Sequence, residues 1–276
     1  MSERAFRFGI VSATAETGAA WVATARRAEE LGYDTLLVPD TLHTLSPFPA
    51  LAAAGAATGR LRVGSYVLSV PNRSAGLTAW ETQSLQLLTD GRFELGLGGG
   101  RPGAERDAKA LGADFGTPAD RVRRVEETIR AVRQIRTPPR ILVAASRPRM
   151  LRLAAEHADT VAFGLAAHLP ESELAGVAGT LRELAGGRFD DLEMQINMAA
   201  VADHAADVPE WVGRMVGGGD PRAMAAAGGI GFLIGTPAQI ADVLLRRRDR
   251  LGIAYIGVSA LFAEKFAPIV ELLHGK

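Results

Sequence analysis

Asp90-Gly91-Arg92-Phe93-Glu94-Leu95-Gly96-Leu97-Gly98-Gly99-Gly100-Arg101 sets a turn signal, a short apolar strand and a glycine cluster in unbroken succession. Glycine lets the backbone approach a ligand closely, and parallel α/β folds keep their sites at the carboxyl ends of strands. Gly98, Gly99 and Gly100 are therefore candidate ligand contacts; the bland alternative is a tight turn. The run from Gly98 to Gly103 also fits G-x-G-x-x-G. That fingerprint opens a helix directly after the first strand of its unit. Here it follows the fourth candidate strand and Arg101-Pro102-Gly103 prolongs a loop, so a dinucleotide-binding fold is set aside.

Three further constellations carry chemistry. In Val38-Pro39-Asp40-Thr41-Leu42-His43 a carboxylate and an imidazole follow a strand. Asp40 can hydrogen-bond a ring or a substrate, and His43 can give or take a proton near neutral pH; alternatively Asp40 caps the next turn and His43 is solvated. No third and fourth ligand stands at a recognisable spacing, so no metal is expected. Val63-Gly64-Ser65-Tyr66-Val67-Leu68 reads as a half-buried strand with Ser65 and Tyr66 as its polar groups. Leu142-Val143-Ala144-Ala145-Ser146-Arg147-Pro148-Arg149 ends a strand in small residues, a hydroxyl and two guanidiniums ahead of a helix start. Such a place suits an anion, or is an ordinary N-cap with surface arginines. Trp80, Glu81, Leu85 and Leu88 read as a core-packing helix face. Neither G-x-S-x-G nor G-x-x-x-x-G-K-[ST] occurs, which lowers the hydrolase and nucleoside-triphosphatase readings.

The elements that must position these groups alternate along the chain. Apolar, β-rich runs fall at 6–11, 35–38, 61–68, 93–97, 140–144, 160–163, 193–201 and 254–258. Between them, at 21–31, 75–88, 121–135 and 240–251 among others, apolar residues recur at three- and four-residue spacing. Eight strand-helix units in this length predict a (β/α)₈ barrel. Thr117-Pro118 and Thr236-Pro237 each set a capping hydroxyl before a proline suited to a first helical turn. Gly32 is placed to close the first helix in the left-handed conformation, and Gly55 and Gly59 weaken the second. The stretch 205–231 is poor in strand formers and rich in Gly and Ala, and its run Gly217-Gly218-Gly219-Asp220-Pro221 reads as a mobile loop or lid.

Of the 276 residues 47% are hydrophobic and 22% charged, with 31 Lys plus Arg against 31 Asp plus Glu and no cysteine. A balanced charge gives no field to hold a nucleic acid or an anionic membrane, so a small-molecule ligand is expected. Without cysteine there is neither a disulfide nor a thiolate metal site. No signal-peptide core and no long apolar run is read. The chain, 1–276, is expected to be one soluble, cytoplasmic domain.

In order, Glu30-Leu31-Gly32-Tyr33-Asp34, Pro39-Asp40, Ala57 through Gly64, Leu88 through Gly98, Ala154 through Asp159 and Ile234-Gly235-Thr236-Pro237 resemble the bacterial luciferase-like monooxygenase superfamily, in its branch of oxidoreductases using the deazaflavin coenzyme F420. The resemblance implies a barrel holding F420, or alternatively FMN, with the ring in the mouth and the phosphate tail near the fifth strand. It implies that Asp40 contacts ring or substrate, that a non-prolyl cis peptide lies at Ser65-Tyr66, that Gly98 to Gly100 line the pocket, and that Ala145, Ser146 and Arg147 lie at the phosphate. Relatives often carry a histidine where Thr41 stands, and one branch a glutamate where Arg101 stands. Those acid-base roles do not transfer; His43 would substitute. Arg73 and Arg101 suggest an anionic substrate, or salt bridges without a catalytic part. The implied activity is hydride transfer between F420 and a small organic molecule; the alternatives are an FMN-dependent monooxygenase using oxygen and a non-catalytic flavin-binding barrel. Relatives pair through the first helices, so a homodimer is expected, with the apolar helix at 50–57 as its candidate.

Overall fold

The computed structural model describes residues 4–276. Its strands are β1 (Arg7–Val11), β2 (Thr35–Val38), β3 (Arg62–Ser65), β4 (Leu68–Ser69), β5 (Phe93–Gly98), β6 (Arg140–Ala145), β7 (Thr160–Phe163), β8 (Glu193–Met198), β9 (Ala200–Ala202), β10 (Phe232–Ile234) and β11 (Ile253–Ser259). All pairings are parallel. They run β3-β2-β1-β11-β8-β7-β6-β5, and β3 returns to β5 through Val63↔Phe93 and Gly64↔Glu94 to close a (β/α)₈ barrel.

Eleven α-helices lie among the described residues: α1 (Gly18–Glu30), α2 (Pro47–Ala57), α3 (Ala75–Leu88), α4 (Ala104–Ala110), α5 (Pro118–Arg133), α6 (Pro148–His157), α7 (Glu171–Ala185), α8 (Trp211–Met215), α9 (Pro221–Ala226), α10 (Pro237–Leu251) and α11 (Ala263–Leu273). Successive residues on each strand face opposite layers of apolar packing. Phe8, Ile10, Leu36, Val63, Phe93, Leu95, Val143, Ile196 and Ile256 join the core shared with the helices. Leu37, Leu142, Ala162 and Tyr255 form a separate apolar cluster with Val11, Tyr66 and Val67, which is the barrel interior. Thr117 and Thr236 close capping boxes with Asp120 and Gln239, and Gly32 takes φ +81° after α1.

The structure corrects three expectations. The run 61–68 is split after Ser65, with β4 resuming against Leu97 and Gly98 of β5. The run 193–201 breaks at Ala199, so that β9 leaves the barrel and pairs with β10, Ala200 opposite Phe232. Within 205–231 the chain forms α8 and α9, and the glycine run 217–220 is the loop between them, as expected. Trp80 and Leu88 are 70% and 64% exposed, while α3 buries Thr78, Thr82, Leu85 and Gln86. Five residues separate Trp80 from Leu85, about 140° around a helix of 3.6 residues per turn, so the two cannot share its inner face.

Candidate active site at the barrel mouth

The amino-terminal end of the barrel is filled by charge. Arg7 on β1 meets Glu94 of β5 at 2.6 Å and Glu193 of β8 at 2.7 Å. Arg62 also pairs with Glu94, Arg140 with Glu193 at 3.4 Å, and the Thr160 hydroxyl donates to Glu193 at 2.9 Å. Buried charge is tolerable when it is paired and hydrogen-bonded in this way. Above this plug lies the apolar interior layer, and above that the carboxyl ends of the strands, where the candidate residues gather.

Asp40, beyond β2, does not cap its own turn. Its Oδ2 accepts from the Ser69 backbone N–H at 3.0 Å and from Asn72 Nδ2 at 3.4 Å, and its Oδ1 meets Arg73 at 3.1 Å. Arg73 reaches on to Glu81 of α3 at 3.5 Å and lies over the Phe48 ring. With side chains 8% and 13% exposed, Asp40 and Arg73 tie β2 to the segment linking β4 and α3. His43 sits exposed on the turn after β2 with no hydrogen-bond partner among the described residues. Arg101, also exposed, pairs with Asp107 at 2.9 Å.

Ser65 is a seam. Its hydroxyl both accepts from the Gly96 N–H and donates to the Gly96 carbonyl, at 2.9 Å each. The cis peptide is Tyr66-Val67, one bond beyond the expected Ser65-Tyr66. Tyr66 donates its hydroxyl across the barrel to Gln195 Oε1 at 2.8 Å. Val67 packs where a Cβ on Gly98 would stand, 2.7 Å away, and Gly100, at φ +94°, lies against Phe115. Gly98 and Gly100 are thus required by the protein's own packing, whereas Gly99 is half-exposed with only Arg121 nearby. At the end of β6, Ala145 is buried, Ser146 half-buried and Arg147 exposed. Arg147 takes the N-cap position of α6 without a side-chain cap bond, and Arg149 is exposed beside it. The first-turn N–H groups and two cations there meet on one rim.

The sequence reading passed over Gln195 and Asn197 of β8 and the Arg7-Glu94-Glu193 plug. The available signal was polar residues two apart within β-rich runs, Glu193-Gln195-Asn197 above all. Ser69 Oγ, Gln195 Nε2 and Asn197 Oδ1 are buried with no hydrogen-bond partner, so the mouth offers polar atoms that the fold leaves unused.

All three tyrosines are shifted upward: burial pushes the Tyr66 phenol up to about 12 and raises Tyr33 and Tyr255 as well, the Glu264 and Glu94 carboxylates respectively adding to it. A phenol raised on folding keeps its proton where the unfolded chain, ionising near ~10, loses it, so stability declines as pH climbs from there toward the folded value. Titration followed at tyrosinate absorbance should show no ionisation of the native protein near pH ~10. Tyrosinate should instead appear in step with loss of circular dichroism. A separate early step would place one phenol in water.

A closed parallel barrel with unused polar groups and an arginine-flanked helix start at its mouth defines a TIM-barrel protein whose candidate site lies at the carboxyl ends of its strands. The chain matches the luciferase-like monooxygenase family over residues 5–207, and it belongs to that family. It is 32% identical over 163 residues, 49% of this chain and 42% of that protein, to a phthiodiolone/phenolphthiodiolone dimycocerosates ketoreductase of Mycobacterium sp. (strain JLS). The chain spans about half the length of the curated relatives it matches. Its fold is similar to that of the coenzyme F420-dependent tetrahydromethanopterin reductase from Methanopyrus kandleri, with a TM-score of 0.74 at 15% identity over 98% of this chain and 99% of that one. It is similar as well to the EDTA monooxygenase from Chelativorans sp. BNC1, with a TM-score of 0.73 at 12% identity over 98% and 94% of the two chains. No helix among the described residues is long and apolar enough to cross a membrane.

Proposed function

We propose that the protein is an oxidoreductase that uses F420 to move a hydride to or from a small organic substrate at the barrel mouth. The observation that carries the reading is the pairing of two features on one rim: unused polar atoms of β4 and β8 above an apolar interior, and the uncapped start of α6 between Arg147 and Arg149. These residues fit a flat ring with an anionic tail. Val11, Val67 and Leu142 offer apolar wall, the bare backbone of Gly164 lies beside the Ser146 hydroxyl, 3.8 Å from where a Cβ would stand, and a helix start with guanidiniums suits phosphate. When bound, the deazaflavin supplies the hydride chemistry. The chain's own work is to position and to dry. The Asp40-Arg73-Glu81 chain would hold the wall of the mouth, Tyr66 and Val67 would line it behind the ring, and His43 would carry a proton between substrate and solvent.

The likeness to the EDTA monooxygenase favours a second reading with the same site, in which reduced FMN takes the place of F420 and oxygen is activated. Titrating the protein with F420 and with FMN, followed by ligand fluorescence, separates the two. Saturable F420 binding with hydride transfer to a reducible substrate is expected. Preference for FMN with oxygen uptake would select the second reading, binding without turnover a non-catalytic barrel, and affinity for neither would remove all three.

The exposed stripe Leu77, Trp80, Leu87 and Leu88 on α3 supports pairing with a second copy through the first barrel helices, since such contiguous apolar surface marks interfaces. Light scattering should give twice the chain mass, and Trp80→Glu should return it to one. A monomeric wild-type protein at working concentration would refute the pairing.

A further inference from the structure

β8 turns Glu193, Gln195 and Asn197 in succession toward the barrel axis, as their neighbours Arg7, Tyr66 and Gly257 show. Glu193 is satisfied by arginines. Gln195, 0% exposed, receives the Tyr66 hydroxyl on Oε1, and its Nε2 has no partner. Asn197 Oδ1, two residues nearer the mouth, has none either. On the neighbouring strand β11, Gly257 stands in register with Asn197. A Cβ there would lie 2.6 Å from Asn197 Oδ1 and 2.7 Å from Gln195 Nε2. With no side chain at Gly257, both atoms, though buried, face the one space that its Cβ would take. An acceptor and a donor, buried together without partners, are a net cost to the fold alone, and groups left so ask for an explanation.

We infer that Gln195 and Asn197 form a recognition pair for a cyclic amide edge, Gln195 Nε2 donating to a ring carbonyl and Asn197 Oδ1 accepting from the adjacent ring N–H. The inference rests on the cofactor reading above, because the pyrimidinedione end of the tricycle carries that edge in F420 and FMN alike. Tyr66 has the part of a positioning residue. Its hydroxyl donates to Gln195 Oε1 and so turns Nε2 outward as the donor. Asn197 is half-exposed as a residue while its Oδ1 is covered, which puts the pair at the floor of the mouth rather than in the sealed interior.

The test compares dissociation constants for F420, FMN and N3-methyl-FMN, whose ring N–H is blocked, in wild type, Asn197→Leu, Asn197→Asp and Gly257→Ala. Wild type should bind FMN about tenfold more tightly than the methylated analogue, the size of one buried hydrogen bond. Asn197→Leu should weaken F420 and FMN by about the same factor and abolish discrimination against the analogue. Asn197→Asp, which keeps an acceptor oxygen, should retain most of the affinity. Gly257→Ala, whose Cβ fills the shared space, should reproduce the loss. Thermal midpoints serve as the second readout: loss of an unpartnered buried acceptor should leave the Asn197→Leu midpoint unchanged or higher. A lower midpoint with unchanged affinities would mean the amides satisfy a trapped water only, and overturns the pair. Equal binding of FMN and its methylated analogue by wild type also overturns the pair while leaving the cofactor reading intact. No binding of either cofactor overturns both.

Discussion

Gly96→Ala should break the barrel open at the β3–β5 seam. A Cβ at position 96 would stand 2.0 Å from the Ser65 carbonyl oxygen and 3.1 Å from Val67 Cγ1, so the clash is with backbone that has nowhere to go. This is also where the ordinary ladder between β3 and β5 stops, after Gly64↔Glu94. The Ser65 hydroxyl takes over the closure by bonding the Gly96 N–H and carbonyl together. Pushing the strands apart forfeits both bonds, leaves buried backbone groups unpaired at about 1–3 kcal/mol each, and adds the backbone displacement. A loss above about 4 kcal/mol is expected, a large part of the ~5–15 kcal/mol that holds a typical domain. Urea unfolding would read it as a midpoint shifted far down with the slope retained, or as insoluble protein. Gly99→Ala is the matched control: its nearest neighbour, Arg121 Cβ, is at 3.6 Å, and its cost should stay within about 0.5 kcal/mol. A Gly96→Ala protein as stable as the Gly99→Ala one would show that the seam does not hold the barrel.

The seam also shows where the sequence stops being legible. The eight barrel strands could be placed because their outward residues, Phe8, Ile10, Leu95 or Val143 among them, must be apolar to meet the helices, and that demand repeats along the chain. The helix starts at Thr117 and Thr236 were readable because capping is local, complete within four residues. The interruptions after Ser65 and at Ala199 were not. Both fall inside apolar runs, with nothing at the break itself in the way of proline, glycine or charge to mark it. At the site, the rim residues followed from strand ends. Their partners did not, because Asp40 finds Arg73 and Ser69 only through the barrel's curvature, and Tyr66 meets Gln195 from 129 residues away. Polar residues at alternate strand positions ordinarily face solvent. Only closure of the sheet turns Arg7, Glu94, Glu193 and Gln195 inward.

Arg7→Met should be the most damaging change at the opposite end, and it tests whether that closed charge layer is held by its pairing. Burial disfavours the Arg7 cation, but the Glu94 and Glu193 carboxylates more than offset this and raise its pKa. Their side chains are 5% and 4% exposed. Arg62 and Arg140 remain after the substitution, each partly open to water at 32% and 44%, so the two glutamates keep only their peripheral partners. Removing one member of a buried ion network costs about 3–5 kcal/mol, because the partner charge stays buried, whereas replacing the whole network with neutral groups costs far less. Arg7→Met combined with Glu94→Gln and Glu193→Gln should therefore be more stable than Arg7→Met alone, an interaction energy that urea unfolding reads directly. Flavin or deazaflavin affinity, measured well below the unfolding midpoint, should be unchanged, because the plug lies beneath the apolar layer and the mouth above it. A triple variant no more stable than the single one would mean that Arg7 acts through the shape of its side chain, stacked on the Tyr255 ring at 4.5 Å, and not through charge.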